Sequence, residues 1–162
     1  MLFDSLIRSS IVIDYIYIFN YNVFGGKMLE GLSLERLLRQ RDESNDEKFI
    51  ENIDEQIKGR QEPLSYWVDQ FLFLNYNSDS YKKELPIKII EEKIFEEAKT
   101  PEDFMEVYVR ILFSLTYCYK KRSILLKETG NRCLHEMKEK IPEKEFHSLF
   151  LKKKKDFFNG SL

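Results

Sequence analysis

Residues 100–122, TPEDFMEVYVRILFSLTYCYKKR, form the stretch whose reading decides the fold. Thr100 is a suitable N-cap, because its hydroxyl can accept from the free amide of Asp103. Pro101 suits the first helical position, where no amide donor is needed. Glu102 and Asp103 place negative charge at the positive end of the helix dipole. Beyond them Phe104, Met105, Val107, Tyr108, Val109, Ile111, Leu112, Phe113, Leu115, Cys118 and Tyr119 cover almost every side of a helix. One narrow seam stays polar: Asp103, Glu106, Arg110, Ser114, Tyr117 and Lys121, in steps of three and four. Glu106 and Arg110 are spaced to pair at i,i+4 within it. A helix that is apolar nearly all round belongs in a core. The expectation is therefore an all-α, single-domain bundle of about six to eight helices, with a buried central helix near residues 101–122.

The flanking segments carry the same pattern. Pro86 opens a helix with Ile87, Ile90, Ile94 and Ala98 on one face. The tight turn at Lys99 and Thr100 then predicts antiparallel packing of this helix on the central one. Residues 64–76 read as a strongly apolar helix through Trp67, Val68, Phe71 and Leu74, followed by a loop over 75–80. Residues 33–41 make a short helix with Leu34, Leu37 and Leu38 on one face. Ser44 and Glu47 are spaced as a capping box for the next helix. Its stripe is Phe49, Ile50, Ile53 and Ile57, and Gly59 and Pro63 close it. Residues 123–138 continue helically, with Gly130 and Asn131 predicting a C-cap and a break. Pro142 starts a last helix with Phe146, Leu149 and Phe150 inward. Residues 1–24 suit either a strand or a buried helix, and the lack of a partner strand favours the helix.

Composition narrows the class. A chain of 162 residues fits one domain, with a core large enough to need no disulfide. The net charge of −2, from 26 basic and 28 acidic residues, sets up no overall field for nucleic acid or an acidic membrane, so neither is expected as a partner. Cys118 and Cys133 read as reduced thiols in a cytoplasmic protein. Residues 11–24 are interrupted by Asp14, Asn20 and Asn22 and fall short of the roughly 20 apolar residues of a membrane span. No basic region precedes them and no small-residue cleavage site follows, so the expectation is a soluble, untargeted chain.

Catalytic motifs are scarce. No glycine-rich phosphate loop, nucleophile elbow or dinucleotide fingerprint is present. His135 and His147 are the only histidines, and neither has a zinc spacing or a motif that sets it beside a cysteine. Lys152 to Lys155, with Phe157 and Phe158, can touch phosphate or a membrane surface, but a lysine run near a chain end more often forms a solvated face. Two acidic groups remain. Glu92 and Glu96 lie one turn apart before the turn at 99–100, and Asp103 and Glu106 one turn apart after it. Converging across the turn, these oxygen ligands would suit Mg²⁺ or Mn²⁺. Asp42, Glu43, Asp46, Glu47, Glu51, Asp54 and Glu55 form an acidic segment with only Lys48 and Lys58 as basic neighbours. Such a patch steers basic partners.

Each group carries a resemblance. EEKIFEE (91–97) followed by DFME (103–106) is similar to the Glu-Glu-x-x-Glu and Glu-x-x-Asp motif of all-helical nucleotide pyrophosphohydrolases, with the third acid one residue late and the second half reversed. It implies a metal-dependent enzyme using Glu92, Glu96, Asp103 and Glu106. RDESNDEKFIENIDEQI (41–57) resembles the first helix of the helical immunity proteins of bacterial polymorphic toxin systems: an Arg-Asp pair, an aromatic-Ile stretch and a long acidic helix. It implies a non-enzymatic inhibitor whose acidic face covers a basic toxin domain. That is the leading expectation; the metal-dependent hydrolase is the alternative.

Overall fold

In the computed structural model of the protein, the described residues are 33–77, 84–115 and 123–160. The readings of residues 1–24, of the loop over 78–80 and of 116–122, Cys118 included, lie outside them. Seven helices and no strand occur among the described residues, as the all-α expectation requires. They fall into two compact units that divide between Arg60 and Gln61, although nothing in the sequence announces a second domain. The division lies in the non-helical stretch between Gly59 and Pro63, the stop read from those two residues. Among the described residues no helix is long and apolar enough to cross a membrane.

The first unit contains α1 (Leu34–Glu43) and α2 (Glu47–Gly59), which pack on each other. Ser33 caps α1, its hydroxyl accepting from the Arg36 amide at 3.3 Å. The expected Ser44–Glu47 capping box does not form. Asp46 caps α2, its carboxylate accepting from the amides of Lys48 (3.0 Å) and Phe49 (3.3 Å). Ser44 ends α1 instead, and its hydroxyl accepts from the Asp46 amide at 3.1 Å. A carboxylate at Asp46 has the shorter reach to the first free amides and the favourable charge for the dipole. Leu34, Leu37, Leu38, Phe49, Ile53 and Ile57 are buried, with Ile50 at the margin.

The second unit contains α3 (Leu64–Asn77), α4 (Glu84–Glu97), α5 (Pro101–Leu115), α6 (Ser123–Lys138) and α7 (Glu143–Phe158). α5 is its centre, packed most extensively on α6, then on α7 and α3. Phe104, Met105, Val107, Val109 and Ile111 are buried. Its N-terminus closes reciprocally. The Thr100 hydroxyl accepts from the Asp103 amide at 3.2 Å, and the Asp103 carboxylate accepts from the amides of Lys99 and Thr100 at 2.9 Å each.

Several expectations fail in instructive ways. α4 packs on α3 and does not lie along α5. The two meet near their joining turn, where the rings of Phe95 and Phe104 sit 6.1 Å apart. A short connector brings two helix ends together without setting their crossing. The crossing follows from the faces, and the flank of α4 outside its isoleucine stripe reaches α6: the Thr129 hydroxyl donates to Glu91 at 2.6 Å and Arg132 to Glu92 at 3.0 Å. Glu106 and Arg110 do not pair with each other. Glu106 pairs with Lys153 of α7 at 3.6 Å, and Arg110 with Asp69 of α3. α3 runs on through Asn75, which was expected in a loop. Its buried amide donates to the Phe71 carbonyl at 2.8 Å and so stays satisfied inside the helix. α6 continues unbroken through Gly130 and Asn131. Gly130 is buried, and a Cβ there would lie 3.5 Å from Ile111 Cγ2 and 3.9 Å from the Tyr108 ring. Its role is close approach of α6 to α5.

Two stability predictions arise. An added methyl at Gly130 meets only ordinary contact distances. Gly130→Ala should therefore stabilise the chain by about 0.5–1 kcal/mol through backbone entropy, whereas Gly130→Leu should destabilise it by roughly 1–3 kcal/mol through overpacking. Urea unfolding of both variants checks the sign. At Asp103, partial burial acts to raise the carboxyl pKa, but the backbone hydrogen bonds from Lys99 and Thr100, with the Thr100 side chain and the Lys153 charge, hold it below its usual value of 3.8. A depressed folded-state pKa gives stability that is present above the unfolded value and lost as pH falls through the folded one. Asp103→Ala should cost about 1 kcal/mol at neutral pH. That cost should hold constant down to about pH 5 and shrink below about pH 4, which unfolding curves across the acid range will follow.

Candidate functional site

The acidic segment lies in the first unit, and its seven members take different places. Arg41 closes α1 and Asp54 sits midway along α2. Their side chains are each 8% exposed and form a bidentate pair, Nε to Oδ1 at 2.7 Å and Nη2 to Oδ2 at 3.3 Å. Asp54 therefore belongs to the buried layer between the helices, not to an acidic face. It follows Ile53 and precedes Ile57 by three residues, so it shares their side of the helix. Asp46 is exposed, but its carboxylate is committed to the α2 cap. Glu55 pairs with Lys58 at 2.7 Å, and that hydrogen bond and charge raise the Lys58 pKa. Asp42 is half-buried and engaged.

Glu43, Glu47 and Glu51 remain. All three are exposed, and none has a hydrogen bond or ion pair among the described residues. Glu43 ends α1, Glu47 begins α2, and Glu51 follows Glu47 by one turn. Glu47 and Glu51, with Glu55 next at the same spacing, put like charges on one stripe of α2, an arrangement that disfavours the isolated helix. What this face presents is electrostatic: three exposed carboxylates, with Lys48 exposed between Glu47 and Glu51. It holds no nucleophile and no base with an activating neighbour.

The four carboxylates of the alternative reading lie in the second unit, and no three of them converge. Among the described residues no group of three or more His, Cys, Asp or Glu is arranged to hold a metal ion. Each of the four has its own partner: Glu92 binds Arg132 (3.0 Å), Glu96 binds the buried Lys93 (2.9 Å), Asp103 binds the amides at its own helix start, and Glu106 binds Lys153 (3.6 Å). The remaining candidates are also accounted for. His135 is exposed and lies 3.4 Å from Glu139, and His147 is exposed on α7. Cys133 is buried, and desolvation pushes its thiol up to about 12, so it is no nucleophile at neutral pH.

Sequence reasoning missed the Arg41–Asp54 pair. Thirteen residues separate the partners, and no local spacing rule links them. The available signal was weak: Asp54 falls on the same side of the helix as Ile53 and Ile57, where an unpaired acid is costly.

No family model, curated protein or solved structure matches the chain.

The buried pair yields a test of its own. Asp54→Ala removes the bidentate partner of a buried guanidinium and should cost about 3–5 kcal/mol. Replacing both partners, Arg41→Met with Asp54→Leu, should recover most of that loss. Equal destabilisation of the single and double variants in denaturant melts would show that the side chains do not interact as a buried pair.

Proposed function

We propose that the protein is a non-enzymatic, cytoplasmic interaction module of the immunity or antitoxin kind, whose acidic face covers a basic toxin domain. The single observation that carries this reading is the trio Glu43, Glu47 and Glu51, exposed at the junction of α1 and α2 and unneutralised among the described residues. Repulsion between Glu47 and Glu51 works against the helix that bears them. A basic partner relieves it, so the strain is stored in the free protein and released on binding. The Arg41–Asp54 pair supports the reading by tying the two helices together beneath this face. The hydrolase resemblance gains no comparable support, because its four carboxylates are engaged separately.

Binding is to be measured by titration calorimetry against candidate basic toxin domains. A one-to-one complex is expected. Its affinity should fall steeply with added salt, as solvent-exposed charge contacts do. Glu51→Lys is the informative variant. Lys at 51 follows Glu47 in the favourable i,i+4 order and precedes Glu55, so the free protein should gain about 0.2–0.5 kcal/mol. Binding should weaken at least about tenfold from the reversed rim charge. A variant that is more stable yet binds worse separates recognition from folding. Affinity indifferent to salt and to Glu47→Lys or Glu51→Lys would sink the acidic-face reading.

A further inference from the structure

The lysine run does not lie on one solvated surface, because α7 sorts it into two sides. Lys153 turns inward to Glu106, and its side chain is only 16% exposed. On the same side Phe146, Leu149, Phe150 and Phe157 are half-buried, with Phe157 stacked on Phe113 of α5 at 4.7 Å and Phe150 beside Tyr108. The opposite side faces outward. Leu151 is 51% exposed and Phe158 is 65% exposed. They are seven residues apart, two turns along one line of the helix. Lys152, Lys154 and Lys155 are exposed around them and have no ion pair among the described residues. Asp156 is half-buried at the edge of this side and is the one acid in the last two turns of α7. Phe158 is not a frayed end. Its ring packs edge-on against Phe113 at 5.0 Å and Phe157 at 5.8 Å, and Gly160, at φ 71°, stops the helix just beyond it.

We propose that the outer face of α7, built from Leu151, Phe158, Lys152, Lys154 and Lys155, docks on an anionic lipid surface. Two large apolar side chains, each more than half exposed, with ammonium groups interleaved, match a charged fluid interface. The rings and branched chains enter the acyl boundary while the lysine stems snorkel to the headgroups. Each lysine near an anionic leaflet adds attraction that the chain as a whole, at net charge −2, does not supply. An acidic protein would need its own pits to receive Leu151 and Phe158, whereas a lipid interface needs no matching shape. The inference is independent of the acidic-face reading and departs from the sequence expectation of no membrane partner. It concerns attachment to a surface through α7, and among the described residues no helix is long and apolar enough to cross a membrane.

The test uses the full chain with vesicles of mixed phosphatidylserine and phosphatidylcholine, against vesicles of phosphatidylcholine alone, scored by co-sedimentation. Binding is expected to the mixed vesicles only, and it should weaken with salt. Replacing Lys152, Lys154 and Lys155 by Gln should reduce affinity on the order of 100-fold, at roughly fivefold per lysine. Leu151→Ser with Phe158→Ser should reduce it by about tenfold or more. The lysine variant should melt close to the parent, since its changed side chains are exposed. Phe158→Ser gives up the ring contacts with Phe113 and Phe157 and should lower the midpoint by a few degrees. Leu151→Ser alone, which leaves those ring contacts in place, should therefore weaken vesicle binding without that loss. Three results would overturn the proposal: no binding to the mixed vesicles, equal binding to both kinds, or a triple lysine variant that binds like the parent. A salt-sensitive self-association in sedimentation velocity that the lysine variant abolishes, without vesicle binding, would assign the face to a second copy instead.

Discussion

Burial of α5 is the constraint on which the second unit depends. A helix that hides Phe104, Met105, Val107, Val109 and Ile111 on several sides leaves Glu102 exposed at its start and brings its other charges, Asp103, Glu106 and Arg110, against partners. α5 meets this with a different partner at each successive turn: Asp103 with the amides of Lys99 and Thr100, Glu106 with Lys153 of α7, and Arg110 with Asp69 of α3. The polar seam thus ties the central helix to its own entry turn and to two of its neighbours. On the third neighbour, α6, Gly130 lies against Ile111 and Tyr108 with room for no more than a small side chain between the helices. A purely apolar α5 would bury as well, but nothing would fix its rotation about its own axis. A few specific polar contacts supply that register at modest energetic return.

The same logic, in smaller form, organises α1 and α2. Their apolar residues are leucines on one helix and Phe49, Ile53 and Ile57 on the other, which pack without strong directional preference. The Arg41–Asp54 fork adds direction, since a planar guanidinium and a carboxylate meet well in few orientations. With that pair inside, the exposed carboxylates take separate places, Asp46 at the α2 cap and Glu55 beside Lys58. An acidic segment of seven residues therefore resolves into one that anchors, one that caps, one that is neutralised, one that is engaged and half-buried, and three that have no ion pair among the described residues.

What could be read from the sequence was local. The α5 N-terminus was legible because Thr100, Pro101 and Asp103 act within one turn, where capping and dipole rules are strong. The helix faces with Ile53 and Ile57, or with Ile90 and Ile94, were legible because period and burial coincide. What failed depended on partners distant in the chain. Spacing placed Glu106 with Arg110, but packing put Lys153 and Asp69 nearer. Composition marked Gly130 as a terminus, but its neighbour across the helix interface made it an interior residue. Likewise the acids from 42 to 55 looked alike in sequence, and only the opposing helix distinguished Asp54 from Glu51. The lysine run behaved similarly, since periodicity could not tell which of four consecutive lysines would find a carboxylate on another helix.

The buried thiol of Cys133 has a further consequence. Held protonated by its apolar surroundings, it is shielded from alkylating reagents for as long as α6 keeps its place. Its labelling rate in native buffer is then a clock for opening of the second unit, read without denaturant and at a defined position in the core. A basic partner that grips only the first unit should leave that clock running at its own pace. One that braces the whole chain should slow it.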